Sequence, residues 1–384
     1  MFAEKTIAKK KKKILYAGLF TLPDRDAAAN RVQGITKILN ECGYDVCMIG
    51  LSDSPIESGV RIEYKYQATP KTARDWIKLQ FDCSLIMDSL KEDDSIFAVI
   101  LYNYPSFSFN RIRRQCKKKG VLLIGDCTEW YHSSKDERFH ILKNLETAKR
   151  MYIDNIKMDG LIVISKYLNN YYCKKQRTVQ IPPVFDYNLL RCSTTTESRI
   201  KNSSKRVFIF AGTITKQKED ITRIINAAIS LSKKRNDFIL KIVGVKIEDY
   251  LLSNSIEKLP GNICFLGRLS HEMCITELKE ADFQIFIRDS NRVNNAGFST
   301  KFAESFSCGI PVITTNTSNL AEYLIDGETG FWVQDNIEEI MDKACSLSNK
   351  EIERMKEEVL KCDGFNFNTY ISLLDKWLKD LEKD

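Results

Sequence analysis

Short, largely apolar runs recur along the chain, separated by stretches long enough for a helix: KILYAG (13–18), YDVCMIGL (44–51), IFAVILY (96–102), VLLIG (121–125) and GLIVIS (160–165). Runs of this length without polar alternation predict strands buried on both faces, as in a parallel sheet covered by helices. Between the first two runs, residues 30–42 (NRVQGITKILNEC) place Val32, Ile35, Ile38 and Leu39 on one helical stripe, and Gly43 supplies the stop. Strand, helix and strand in succession predict a doubly wound α/β layer.

The pattern breaks at 182–205, a segment rich in Ser, Thr and charge that reads as a linker. Alternation resumes with RVFIFAG (206–212), FILKIVG (238–244), NICFLG (262–267), DFQIFI (282–287) and IPVITT (310–315), which predict a second layer of the same kind. Residues 370–381 (YISLLDKWLKDL) add an amphipathic helix with Ile371, Leu374, Trp377, Leu378 and Leu381 on one stripe. A length of 384 residues, at about 150 per domain, agrees with more than one domain. Open parallel sheets bind ligands beyond the carboxyl ends of their strands, so residues just after each strand are the ones to search.

Composition narrows the function classes. The 43% hydrophobic and 28% charged fractions are those of an ordinary globular protein, excluding collagen-like and disordered classes. The net charge of +7 suits phosphorylated ligands or an anionic membrane surface, and no interleaved aromatic platform argues for nucleic acid. No apolar run approaches the roughly 20 residues of a spanning helix, and the basic start at Lys9 to Lys13 runs into only seven apolar residues, so the chain reads as cytoplasmic. Twelve cysteines without a C-x-x-C and only three histidines leave no metal-ligand pattern. Asp24-Arg25-Asp26 is a D-x-D, a spacing that can hold a divalent metal and also arises readily in loops; metal-independent chemistry is expected. No G-x-G-x-x-G follows the first strand, which removes the main support for a nicotinamide enzyme.

The most informative segment is FIRDSNRVNNAGFSTKFAESFSCGIPVITT (286–315), which reads as strand, Asn/Gly loop, helix and strand, with Ser299 or Thr300 as the helix cap. The unpaired N–H groups of that first turn favour an anion. Lys301 stands in the same turn against the helix dipole: either it shares a phosphate with the helix N-terminus or it points into water. Glu304, one turn on, suits two ribose hydroxyls, and equally suits the start of a helix as an acid.

GFSTKFAESFSCGIPVITT, with NLAEYLIDGETGFWV (319–333), resembles the nucleotide-sugar-binding segment of the retaining glycosyltransferases of family four, which have the GT-B fold. LLIGDCTEWY (122–131), DGLIVISKYLNNYY and IPPVFD (159–186) resemble the polysaccharide-biosynthesis branch. The resemblance implies two Rossmann-like domains with a cleft between them. Residues 1–188 would bind the acceptor, 189–365 the nucleotide sugar, and 366–384 would cross back to the first domain.

Carried over residue by residue, FAGTITKQKED (210–220) resembles the family's phosphate loop: Gly212 and Lys218 match, and Thr213 stands where an arginine is usual. That loss falls on Lys218, with Lys216, Lys301 or Arg288 as substitutes, although Lys218 also fits a solvated loop. Arg268 and Leu269 match the turn whose backbone reads the base. Of the family's paired glutamates the second is Glu304, while Ala296 occupies the first position, so Gly297, Phe298 and Ser299 would offer backbone amides to the sugar and β-phosphate. In the first domain, Asp126 or Glu129 would orient the acceptor hydroxyl and Trp130 would stack on a sugar beside His132. A helix cap and ordinary packing account equally well for Asp126 and Trp130. His140 and His271 read as surface or structural residues.

The resemblance thus implies retaining transfer of a sugar from a nucleotide-diphosphate sugar to a glycan or polyprenyl-diphosphate-linked acceptor, with no further cofactor. Lys9, Lys10, Lys11, Lys12 and Lys13 would hold the enzyme at the inner membrane surface or form a solvated tail. Two rivals are a nucleotide-sugar epimerase and a degenerate nucleotide-sugar-binding subunit of another transferase, the latter motivated by Thr213 and Ala296.

Overall fold

The structure of the protein is a computed structural model that describes residues 12–23, 26–133, 139–192, 205–212, 219, 221–254 and 258–383. The chain forms two units, Met1–Ile181 with Phe367–Asp384, and Pro182–Asn366.

The first unit holds a parallel sheet of seven strands: β1 (Lys13–Thr21), β2 (Asp45–Leu51), β3 (Ile62–Gln67), β4 (Ile96–Tyr102), β5 (Leu122–Cys127), β6 (Gly160–Val163) and β7 (Thr178–Gln180). Their order is β3-β2-β1-β4-β5-β6-β7, so successive strands depart to opposite sides at β1/β4. The apolar runs are buried as expected: Ile14, Tyr16, Val99, Ile100 and Ile162 are all inaccessible to solvent. The helix after β1 spans Ala27–Glu41 and buries Val32, Ile35, Ile38 and Leu39. Asp26 caps it, and its two carboxylate oxygens accept from Ala29 N and Thr21 N, each at 2.7 Å. Asp24 and Arg25 lie outside the described residues.

The helix Ile371–Glu382 belongs to this unit and buries Leu374, Leu378 and Leu381. Trp377 seats its ring on Gly160, at the start of β6, where a Cβ would come within 2.6 Å of Trp377 Cζ2.

The second unit contains β8 (Arg206–Ala211), β9 (Phe238–Val243), β10 (Ile263–Gly267), β11 (Phe283–Phe286), β12 (Val312–Thr314) and β13 (Gly330–Trp332), all parallel, in the order β10-β9-β8-β11-β12-β13. Here the strands diverge at β8/β11. Phe208 lies against Phe238 and Phe283, and Phe283 against Phe331, with ring centroids 5.9 to 6.2 Å apart.

The change of unit falls at Ile181–Pro182, at the start of the polar segment 182–205 and ahead of the 188/189 boundary that the resemblance implies. The reason is local: Phe185 N donates to Phe365 O at 2.8 Å, and Tyr187 Oη to Cys362 O at 3.0 Å. The start of the expected linker is therefore structured, with a helix at Tyr187–Cys192, and residues 193–204 lie outside the described residues.

Candidate functional site

Three neighbouring strands of the second sheet end in glycines with positive φ: Gly212 (+138°) after β8, Gly244 (+101°) after β9, and Gly267 (+65°) closing β10. Gly212 N donates to Val243 O at 3.2 Å and Gly244 N to Gly267 O at 2.7 Å, so the strand ends form a stepped backbone edge. A side chain at Gly212 would collide with Lys301, which lies directly over it.

Lys301 comes from the segment 286–315. Past β11, Asn291 caps a short helix at Arg292–Ala296, with Oδ1 accepting from Asn294 N at 2.9 Å, so the expected loop contains a turn of helix. Ser299 caps the next helix, Thr300–Ser307, its Oγ accepting from Phe302 N at 3.3 Å, and Thr300 is the first helical residue. Gly297 N donates to Val293 O, closing the short helix, and Gly297 O accepts from Ser318 Oγ. Ala296 is fully buried, and the Phe298 side chain packs among Phe302, Tyr323 and Phe365. Phe298 therefore has only its backbone to offer a ligand.

At the β8/β11 divergence lies an ion triad in which Glu219 and Arg288 are buried and Lys301 is partly buried. Glu219, its side chain 2% exposed, accepts at Oε1 from Arg288 Nη2 (2.6 Å) and Nε (3.1 Å), and its Oε2 stands 2.7 Å from Lys301 Nζ. Arg288 is fixed through its own backbone: its N donates to Thr315 Oγ1, which donates back to Arg288 O. Burial pushes the Glu219 carboxyl up, but Lys301 and Arg288 outweigh it, so the group stays below the ordinary carboxylate value. Burial is also the largest influence on Lys301, and with Arg288 it prevails over the attraction of Glu219, leaving the ammonium below its usual value. Glu219 gave no signal in the sequence: it is one acid in a polar stretch, and its Arg288 partner is 69 residues away.

Glu304 Oε1 lies 3.3 Å from Nε2 of the exposed His271, which supplies a partner that sequence spacing did not suggest. Arg268 is exposed just past β10, whereas the Leu269 side chain packs on the cluster of Val207, Ile209, Val243 and Ile275. Thr213, Lys216 and Lys218 lie outside the described residues.

In the first unit, the residues after β5 turn to different neighbours. Asp126 is buried, accepting from Tyr16 Oη (2.6 Å) and from Arg31 Nη2 (2.9 Å) and Nε (3.2 Å), while Arg31 Nη1 donates to Ile181 O. Burial first, and then the Asp126 charge, pushes the Tyr16 hydroxyl well up. Trp130 is also buried, its ring edge-to-face with Tyr152, Tyr167 and Tyr171. Glu129 is half-buried and His132 exposed. Of the basic start, Lys12 pairs with Glu382, and Lys13 with Glu63 and Asp93 at 3.0 Å each; Lys9, Lys10 and Lys11 lie outside the described residues.

Comparison with known proteins fits this geometry. Residues 194–359 match the family described as Glycosyl transferases group 1. The uncharacterized glycosyltransferase MJ1178 of Methanocaldococcus jannaschii is 26% identical over 201 residues, covering 50% of this chain and 50% of that protein. The matched region therefore spans about half the length of that curated relative. Sucrose-phosphate synthase (tll1590) from Thermosynechococcus elongatus superposes with a TM-score of 0.70 at 15% identity, over 97% of this chain and 99% of that one. Anabaena HepE, solved in complex with UDP and glucose, gives 0.66 at 13% identity, over 96% of this chain and 100% of its own. The fold is GT-B, and the group 1 match supports a transferase enzyme.

Proposed function

We propose that the protein is a retaining glycosyltransferase that moves a sugar from a nucleotide-diphosphate sugar to a glycan or polyprenyl-diphosphate-linked acceptor in cell-surface polysaccharide synthesis. The observation that carries the reading is the convergence of Lys301 and Arg288 beside Gly212, at the carboxyl ends of β8 and β11 where the strands diverge. Open α/β sheets bind ligands at such divergence points. The solved complex of HepE with UDP and glucose adds support for a nucleotide-sugar donor.

In this reading the bond between the sugar's anomeric carbon and the diphosphate oxygen breaks as the acceptor oxygen attacks from the same face. The leaving phosphate takes the acceptor's proton. The protein supplies positive charge to the diphosphate through Lys301, Arg288, Lys218 and the first turn of helix Thr300–Ser307, each donor worth about 3 kcal/mol in a dry site. Glu304 accepts the ribose hydroxyls, and the backbone at Arg268 and Leu269 meets the base. No metal or further cofactor takes part. On the acceptor side, Glu129 and His132 meet the acceptor, while Asp126, held by Tyr16 and Arg31, and Trp130, packed among tyrosines, are buried. The Lys9 to Lys13 stretch draws the enzyme to the anionic inner leaflet.

The test is isothermal titration with UDP, GDP and their sugar conjugates, with and without EDTA, on wild type and Glu304→Ala. Binding of one nucleotide that survives EDTA and collapses in the variant supports the reading. A folded sample that binds none of them overturns it.

A further inference from the structure

Lys301 and Arg288 are not aimed outward as a bare cation pair; both are held by Glu219. We propose that the Glu219 carboxylate is an internal counter-anion standing in for a donor phosphate group, and that a nucleoside diphosphate binds in exchange for the contact between Lys301 and Glu219. The inference rests on the donor site proposed above and concerns how that site is tuned.

The two arms of the triad differ in quality. Arg288 gives Oε1 two directed hydrogen bonds, at 2.6 and 3.1 Å, and is itself fastened to Thr315. Lys301 gives Oε2 a single contact, at 2.7 Å. The lysine thus makes one contact where the arginine makes two, and an ammonium on a flexible stem can be redirected where a forked guanidinium cannot. Lys301 is also the member of the triad nearest a ligand position. Its terminal atoms lie over Gly212, and its backbone lies in the first turn of the helix, where unpaired N–H groups favour an anion.

Charge explains what Glu219 contributes. Two cations with one carboxylate carry a net charge of one, so the diphosphate meets less positive charge than the pair alone would present. Glu219 thereby lowers the affinity for donor and for the nucleoside diphosphate product alike. That weakening of uniform binding speeds product release.

The experiment compares wild type with Glu219→Gln, which keeps the shape and an acceptor for Arg288 but removes the charge. UDP and inorganic pyrophosphate are the probes, titrated calorimetrically into samples shown to be folded by circular dichroism. The variant is expected to bind both about tenfold more tightly. Unchanged or weaker binding of UDP by the variant, with wild-type binding intact, overturns the inference and leaves the donor site standing. If neither protein binds either probe, the donor site itself fails and the inference falls with it. A crystal structure of wild type with UDP tests the same point without a variant: Lys301 Nζ is expected on a phosphate oxygen, beyond about 4 Å from Glu219. Retention of the 2.7 Å contact in that complex overturns the exchange.

Discussion

Lys301 and Gly212 are in direct contact: a Cβ added to Gly212 would lie 2.4 Å from Lys301 Cε and 2.8 Å from Nζ. The glycine also holds a φ of +138°, which L side chains rarely adopt. Gly212→Ala therefore displaces the ammonium and strains the strand end together. We expect a stability loss of about 1–3 kcal/mol and nucleotide binding weakened by at least about tenfold, read by thermal melts and by titration with UDP.

The triad makes stability depend on acid pH. Glu219 sits below the ordinary carboxylate value, so its contribution is complete above about pH 4.3. It is lost as pH falls from there through the folded-state value, because the unfolded chain takes up the proton first. Glu219→Gln is expected to melt below wild type at pH 7, and the two melting temperatures should converge only once the pH has fallen below the folded-state value. A gap that stays constant across that range contradicts this account.

Asp126 is expected to matter first for folding. Its removal takes the carboxylate away from the buried Arg31 guanidinium, and breaking a buried pair from one side costs about 3–5 kcal/mol. Chemical denaturation of Asp126→Ala should show that loss, and Arg31→Met combined with Asp126→Leu should lose less than Asp126→Ala alone.

Gly160→Ala tests the seating of the last helix. The added methyl would meet the rigid Trp377 ring at 2.6 Å and Leu381 Cδ1 at 2.9 Å. Overpacking of this kind costs about 1–3 kcal/mol. Raised protease sensitivity near residues 371–382, with nucleotide titration unchanged, is the expected outcome.

The strands legible in the sequence were those buried on both faces, because an uninterrupted apolar run is the mark of such a strand. β3 carries a weaker mark: IEYKYQ lies half-buried at a sheet edge, where six alternating residues replace an uninterrupted apolar run. β7 and β13 have only three residues each, too few for any period to show. Within the site, the Ser299 cap and the exceptional position of Lys301 could be read from spacing. What Lys301 touches could not, because Glu219 becomes its neighbour only when β8 and β11 pair. Asp126 was visible as a residue at a strand end, but Arg31, its partner, lies 95 residues earlier.

The order in which the units can be completed is the reverse of the order in which they begin. Residues 182–366 form one uninterrupted stretch, whereas the first unit draws Leu374, Leu378 and Leu381 from beyond it. A ribosome making the chain therefore releases every residue of the second unit before the last helix of the first. Until residues 371–382 emerge, the seven-stranded sheet carries an uncovered apolar flank around Gly160. Apolar surface exposed in this way during synthesis is prone to aggregation.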